Sequence, residues 1–178
     1  MRLFIAIPIP DDLRSPLTAI SSGVRGARWV RPEGMHITLS FCGETDRAQA
    51  RDLDTELGEI SLPPFDLRCS DFGFFERGTK INSIWAGIEN NPTLTYLHGR
   101  VETATVRAGF KRETRKFKPH ITLARLKMAR AEDVGQWIET HDTLSLPTFT
   151  VDRFILYRSH LAREGAMYEP LIEYPLSL

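Results

Sequence analysis

Two of the five histidines stand in the same four-residue setting, His36-Ile37-Thr38-Leu39 and His120-Ile121-Thr122-Leu123. On an extended strand, side chains two residues apart share a face, so each His lies beside its Thr while Ile and Leu point the other way. Imidazoles titrate ordinarily near ~6.5, so two brought together can act as a base and an acid near neutral pH. A Thr hydroxyl donates to an anionic oxygen, and β-branching restricts its rotamers. A base on one side, an acid on the other and donors between them is the equipment for in-line displacement at a phosphodiester, and it requires no metal.

Such convergence needs two strands whose polar faces meet, and the flanking sequence supplies them. Leu3 to Ile7 reads as a buried strand stopped by Pro8 and Pro10. Asp11 or Asp12 caps a helix with Leu13, Leu17, Ile20 and Val24 at helical spacing. The turn Pro32-Glu33-Gly34 leads into a strand from Met35 to Phe41, and Asp46 opens a helix through about Ile60. Phe65 to Phe75 reads as one or two strands with a possible bulge at Gly73, and Asn82 to Ile88 as its hairpin partner. A helix from Pro92 through about Val106 then precedes the second word. After it come a helix from Glu132 to Thr140, a strand from Phe149 to Tyr157, a turn at Gly165 and a last strand near Tyr168 to Tyr174. The words are 84 residues apart, and the same offset carries Leu62-Pro63 onto Leu146-Pro147 and Phe65 onto Phe149. The chain reads as two βαβαββ-like halves with no Gly/Ser-rich linker between them, packed as lobes around a cleft.

With 178 residues, 42% hydrophobic and 26% charged, the chain can bury one core or two half-size lobes. Its 23 basic and 23 acidic residues cancel, so any nucleic-acid contact must be local. Cys42 and Cys69 form no CxxC pair and read as ordinary buried thiols. The apolar opening run is too short for a signal segment and no stretch approaches a membrane span, so a cytoplasmic location is expected.

The paired words, with Phe41 after the first, Pro119 before the second and Arg125 after it, resemble the 2H phosphoesterase superfamily. More narrowly, Phe117 to Arg125, the opening Arg2-Leu3-Phe4-Ile5-Ala6-Ile7, and Leu156-Tyr157-Arg158-Ser159 with Gly165 and Tyr168 are similar to its RNA 2′,3′-cyclic phosphodiesterase (2′,5′-RNA ligase) branch. The resemblance implies an α+β fold over residues 1–178, one bilobal duplicated domain with two antiparallel sheets, flanking helices and a central cleft. It further implies metal-independent opening of an RNA terminal 2′,3′-cyclic phosphate to a 2′-phosphomonoester without a cofactor, and leaves reversible 2′,5′ ligation open. His36 and His120 are then the acid/base pair, with His120 activating water and His36 protonating the departing 3′ oxygen. Thr38 and Thr122 hold the phosphate.

Arg125 would offset the phosphate charge, but strict alternation puts it on the face opposite His120, so a bulge or strand end must redirect it. Phe41 either stacks on a base or fills the core. The stretch from Arg107 to Lys118 carries six basic residues against Glu113 alone. It is the candidate guide for an RNA backbone, with Lys116 and Lys118 nearest the second word, although a solvated basic loop would look the same. His98, His141 and His160 read as structural or surface residues. The substrate expected is an RNA 3′ end or a small cyclic nucleotide, with no membrane or protein partner, taken by a monomer. A different class, a module that binds RNA ends or nucleotides without turnover, fits the same cleft. A metal-dependent hydrolase is less well served, because neither word has ligand-spaced His, Asp or Glu nearby.

Overall fold

A computed structural model gives the protein's structure and describes residues 1–177. The first half runs β1 (Arg2–Pro8), α1 (Asp11–Ala19), β2 (Ala27–Trp29), β3 (His36–Glu44), α2 (Arg47–Gly58) and β4 (Phe65–Leu67). Then come β5 (Cys69–Arg77) and β6 (Lys80–Ile88), followed by α3 (Pro92–Arg107), β7 (His120–Leu126), α4 (Ala131–His141), β8 (Phe149–Val151), β9 (Arg153–Ala162) and β10 (Gly165–Pro175). The fold is α+β, as expected.

Local chemistry explains most boundaries. Asp46 caps α2 by accepting from the Gln49 amide at 2.8 Å. Asn91 caps α3 from Thr93 and Leu94, with Pro92 in the first turn, where a missing N–H costs nothing. At α1 the expected Asp cap is replaced by Pro10, and Asp11 and Asp12 occupy the first turn, where they complement the helix dipole. Val24 lies beyond α1, which ends at Ala19, although it is buried as expected. Phe65 to Phe75 is two strands, and Phe149 to Tyr157 likewise parts into β8 and β9. Gly73 is no bulge: it pairs in register with Trp85, and a Cβ on it would stand 2.3 Å from that indole. Glycine is there to let the ring lie against the backbone.

The strands order as β10-β9-β1-β3-β7-β6-β5, with β2 also on β7, and β4 pairs with β8 apart from them. This order has an internal symmetry. β1 and β6 each lead through a helix to a word-bearing strand, β3 and β7, which meet at the centre through the single pair Ile37 and Ile121. Each half then sends its next long strand across: β5 adds to β6, and β9 returns to β1. In the small sheet Phe65 faces Val151, Asp66 faces Thr150 and Leu67 faces Phe149. Both Ile37/Ile121 and Asp66/Thr150 are residues facing their own counterparts at the 84-residue offset.

The core lies beneath the sheet. Leu3, Ile5 and Ile7 of β1, with Ile37, Leu39, Ile121 and Leu123, meet Leu13 and Leu17 of α1, Leu53 and Leu57 of α2, and Leu94, Leu97 and Val101 of α3. Complete burial of an Ile or Leu side chain contributes roughly 1.5–3 kcal/mol, so the apolar letters of each word hold its strand flat. Trp137 of α4 donates its indole N–H to the carbonyls of Ile20 and Ser22, tying the second half to the loop after α1.

Candidate active site

His36 is fixed first by its backbone. Its Nδ1 lies 2.8 Å from the Gly34 carbonyl, which can only accept, so Nδ1 carries the proton and Nε2 is the working nitrogen. Nε2 accepts from the Thr38 hydroxyl at 3.0 Å, which shows the two side chains on one face as the strand period requires. Phe4, Tyr168 and Tyr157 surround the ring, Tyr168 edge-on at 5.2 Å. Burial in this aromatic setting pushes the imidazole down to about 4, with the charges of Arg125 and His120 acting in the same direction.

His120 repeats the anchor. Its Nδ1 donates to the Lys118 carbonyl at 2.7 Å, again two residues earlier in the chain, leaving Nε2 free. Phe75 meets the ring edge-on at 4.9 Å and Trp85 lies 6.0 Å away. Burial lowers this imidazole below its ordinary value, and the Arg125 and Lys118 charges lower it further. Lys118 Nζ sits 4.7 Å from the Trp85 ring centroid and 5.9 Å from that of Phe75. The Trp85 indole nitrogen is buried without a hydrogen-bond partner among the described residues. Antiparallel order about Ile37 and Ile121 runs His36 toward Thr122 and Thr38 toward His120, so the two words face each other.

A matched irregularity follows each word. On β7, Thr122 pairs with Trp85 but Ala124 with Ile84, leaving Leu123 as an extra residue. On β3, Thr38 pairs with Ala6 but Ser40 with Ile5, leaving Leu39 extra. These bulges reset the alternation. Arg125, opposite Ser83, returns to the face of His120 and Thr122, and Phe41, opposite Phe4, returns to the face of His36 and Thr38. The redirection that Arg125 requires is therefore present. Phe41 is 71% exposed, with its ring 5.9 Å from Phe4, so it is not a core filler.

The basic stretch is partly neutralised. Arg107 pairs with Glu56 and Arg115 with Glu113. Buried Glu102 accepts from the Glu113 amide, and His98 stacks on Phe117 at 3.8 Å, so the run into the second word is pinned to α3. Lys118 comes to the His120 aromatics, whereas Lys116 is exposed and no contact ties it to either histidine among the described residues. His141 bonds the Trp137 carbonyl and His160 pairs with Glu169. Burial pushes the thiols of Cys42 and Cys69 up to about 12 and about 11, which leaves both unreactive at neutral pH. No described helix is long and apolar enough to cross a membrane.

Sequence reasoning overlooked Phe75, Trp85 and strand β2. The available signal for Trp85 was Gly73: a glycine inside an aromatic-rich strand marks a close approach.

The geometry presents two Nε2 atoms and two Thr hydroxyls on one face with a guanidinium beside them, a set suited to proton transfer on both sides of a phosphorus centre. Comparison with known proteins gives the same direction. The family model described as 2'-5' RNA ligase superfamily matches residues 9–163. An RNA 2',3'-cyclic phosphodiesterase of Archaeoglobus fulgidus is 31% identical over 174 residues, covering 96% of this chain and 98% of its own. One from Thermotoga maritima is 32% identical over 181 residues, covering 97% and 94%. Among solved structures, apo LigT of Escherichia coli superposes with a TM-score of 0.81 at 28% identity, covering 99% of this chain and 98% of that one. LigT complexed with 3'-AMP gives 0.80 at the same identity and coverage.

Proposed function

The chain belongs to the 2'-5' RNA ligase superfamily, and from that premise we propose that it opens the terminal 2′,3′-cyclic phosphate of RNA to a 2′-phosphomonoester. Water attacks phosphorus, the bond from phosphorus to the 3′ oxygen breaks, and the product carries a 2′-phosphate and a free 3′-hydroxyl. The observation that carries this reading is the pair of imidazoles with Nδ1 held by a backbone carbonyl and Nε2 turned to the shared face.

His120, whose Nε2 has no partner among the described residues, takes the proton of the attacking water. His36 gives a proton to the departing 3′ oxygen. Burial makes protonated His36 a strong donor, and the negative charge of the bound phosphodiester supplies its protonated form, because a nearby anion raises an imidazole. Thr38 and Thr122 donate to the non-bridging oxygens and Arg125 balances their charge. For Thr38 this means exchanging its bond to His36 for one to substrate, which frees Nε2 on binding.

The same reading makes the protein a cytoplasmic monomer acting on an RNA 3′ end or a small cyclic nucleotide, and makes the domain two halves related by a pseudo-twofold. Support for the halves comes from the two self-facing pairs, Ile37/Ile121 and Asp66/Thr150. Binding without turnover is not favoured, since the relatives at 31% and 32% identity bear the phosphodiesterase name. The test is incubation in EDTA with an oligonucleotide ending in 2′,3′-cyclic phosphate, followed by identification of the hydroxyl that carries the product phosphate. A 2′-phosphate is expected; unchanged substrate or a 3′-phosphate would overturn the assignment.

A further inference from the structure

Arg125 has a neighbour that the proposed chemistry does not use. Arg28 of β2 lies directly opposite Arg125 in the ladder with β7. Residues directly opposite in an antiparallel pair share a face, so Arg28 belongs to the same sheet face as Arg125, Thr122 and His120. Both arginines are exposed, and neither takes part in an ion pair among the described residues. The nearby carboxylate, Glu164, is taken by Arg31. Like charges directly opposite destabilise a sheet, so this pair stands at a cost to the ladder.

The two cations also differ in where they act. The charge of Arg125 bears on both His36 and His120. The Arg28 guanidinium instead stands 3.9 Å from where a Cβ on Gly165 would be, at the turn between β9 and β10. Gly165 has a φ of +121, a backbone conformation that glycine adopts readily at this turn. The cationic track therefore runs from the words along β7 to Arg125 and then sideways to Arg28.

One phosphate at the histidines needs one of these cations. We propose that Arg28 binds a second phosphate, the one on the 5′ oxygen of the terminal nucleotide, and so makes the site prefer an RNA end to a mononucleoside cyclic phosphate. The inference rests on the cyclic-phosphate reading above. That phosphate has two sources, the RNA backbone and a free 5′-phosphorylated nucleotide, and three substrates separate them: a nucleoside 2′,3′-cyclic phosphate, its 5′-phosphorylated form, and a dinucleotide ending in the cyclic phosphate.

In the wild type, the two substrates with a 5′ phosphate are expected to exceed the first by about tenfold in kcat/KM, mainly through KM, as one charge-assisted contact supplies. Arg28→Gln is expected to collapse that ratio toward one and to reduce the salt dependence of dinucleotide binding by about one unit of slope. Arg28→Lys is expected to restore part of it. An equal ratio in wild type and Arg28→Gln would overturn the proposal, as would a preference for the dinucleotide that the 5′-phosphorylated nucleotide does not share. A wild type that opens none of the three would overturn the cyclic-phosphate reading itself.

Discussion

His36 and His120 occupy equivalent places on β3 and β7, with the same backbone anchor two residues before and the same bulge three residues after. Their surroundings differ in kind. His36 is packed by Phe4, Tyr157 and Tyr168, its Nε2 is held by Thr38, and the residue that its bulge presents is Phe41. His120 has an Nε2 without a partner among the described residues, has Phe75 and Trp85 beside it, and has the Lys118 cation to itself while sharing the charge of Arg125 with His36. The shared scaffold fixes position and tautomer, which both proton transfers need. The side chains placed on it divide the remaining work, with an apolar shelf on one side and positive charge on the other.

The sharpest break is loss of either ring. His36→Ala or His120→Ala should lower cyclic-phosphate opening by ~10² to 10⁴, with the double variant little worse than the single ones because the pair acts as a unit. Steady-state rates on folded variants measure this. Next comes the pair of residues after the bulges: Arg125→Gln should cost roughly 10 to 10² in kcat/KM, and Phe41→Ala only a few-fold, as loss of one charge-assisted contact exceeds loss of a stacking surface. Equal losses would erase the division between charge and shelf.

A third test is pH. Both imidazoles lie below the ordinary range in the free protein, His36 at about 4, so the kcat/KM bell should centre below pH 6.5. Bound phosphodiester favours the protonated rings, so the kcat bell should lie at higher pH. A kcat/KM optimum above pH 7 would remove burial as the governing influence. The smallest effect expected is from Gly73→Ala, whose Cβ meets the Trp85 ring at 2.3 Å. It should destabilise by about 1–3 kcal/mol in denaturant unfolding and slow catalysis modestly through His120.

Much of the site is legible in the sequence because a strand's period is fixed. Identity at two places plus a spacing of two residues puts His and Thr on one face, and the odd separation of Arg125 from His120 by itself demands a bulge. The mirrored bulge at Leu39, which turns Phe41 to the face of His36 and Thr38, has no such flag, since Phe41 is equally at home in a core. β2 is too short to show alternation, and its partner is nearly a hundred residues away in the chain, so nothing local announces it. The crossing of β5 and β9 is likewise set by long-range pairing, whereas the caps at Asp46 and Asn91 depend on near neighbours only and are readable.

That crossing has a consequence for synthesis. The outer neighbour of β1 is β9, so the edge of β1 turned away from β3 stays unpaired until residues up to Ala162 have left the ribosome. The N-terminal half, though first made, is among the last to be completed, and its strand edge stays open to other chains meanwhile. Folding governed by such distant contacts is slow for the size of the domain. Removing β9 and β10 should therefore cost the nascent chain its solubility before it costs the mature protein a single reacting group.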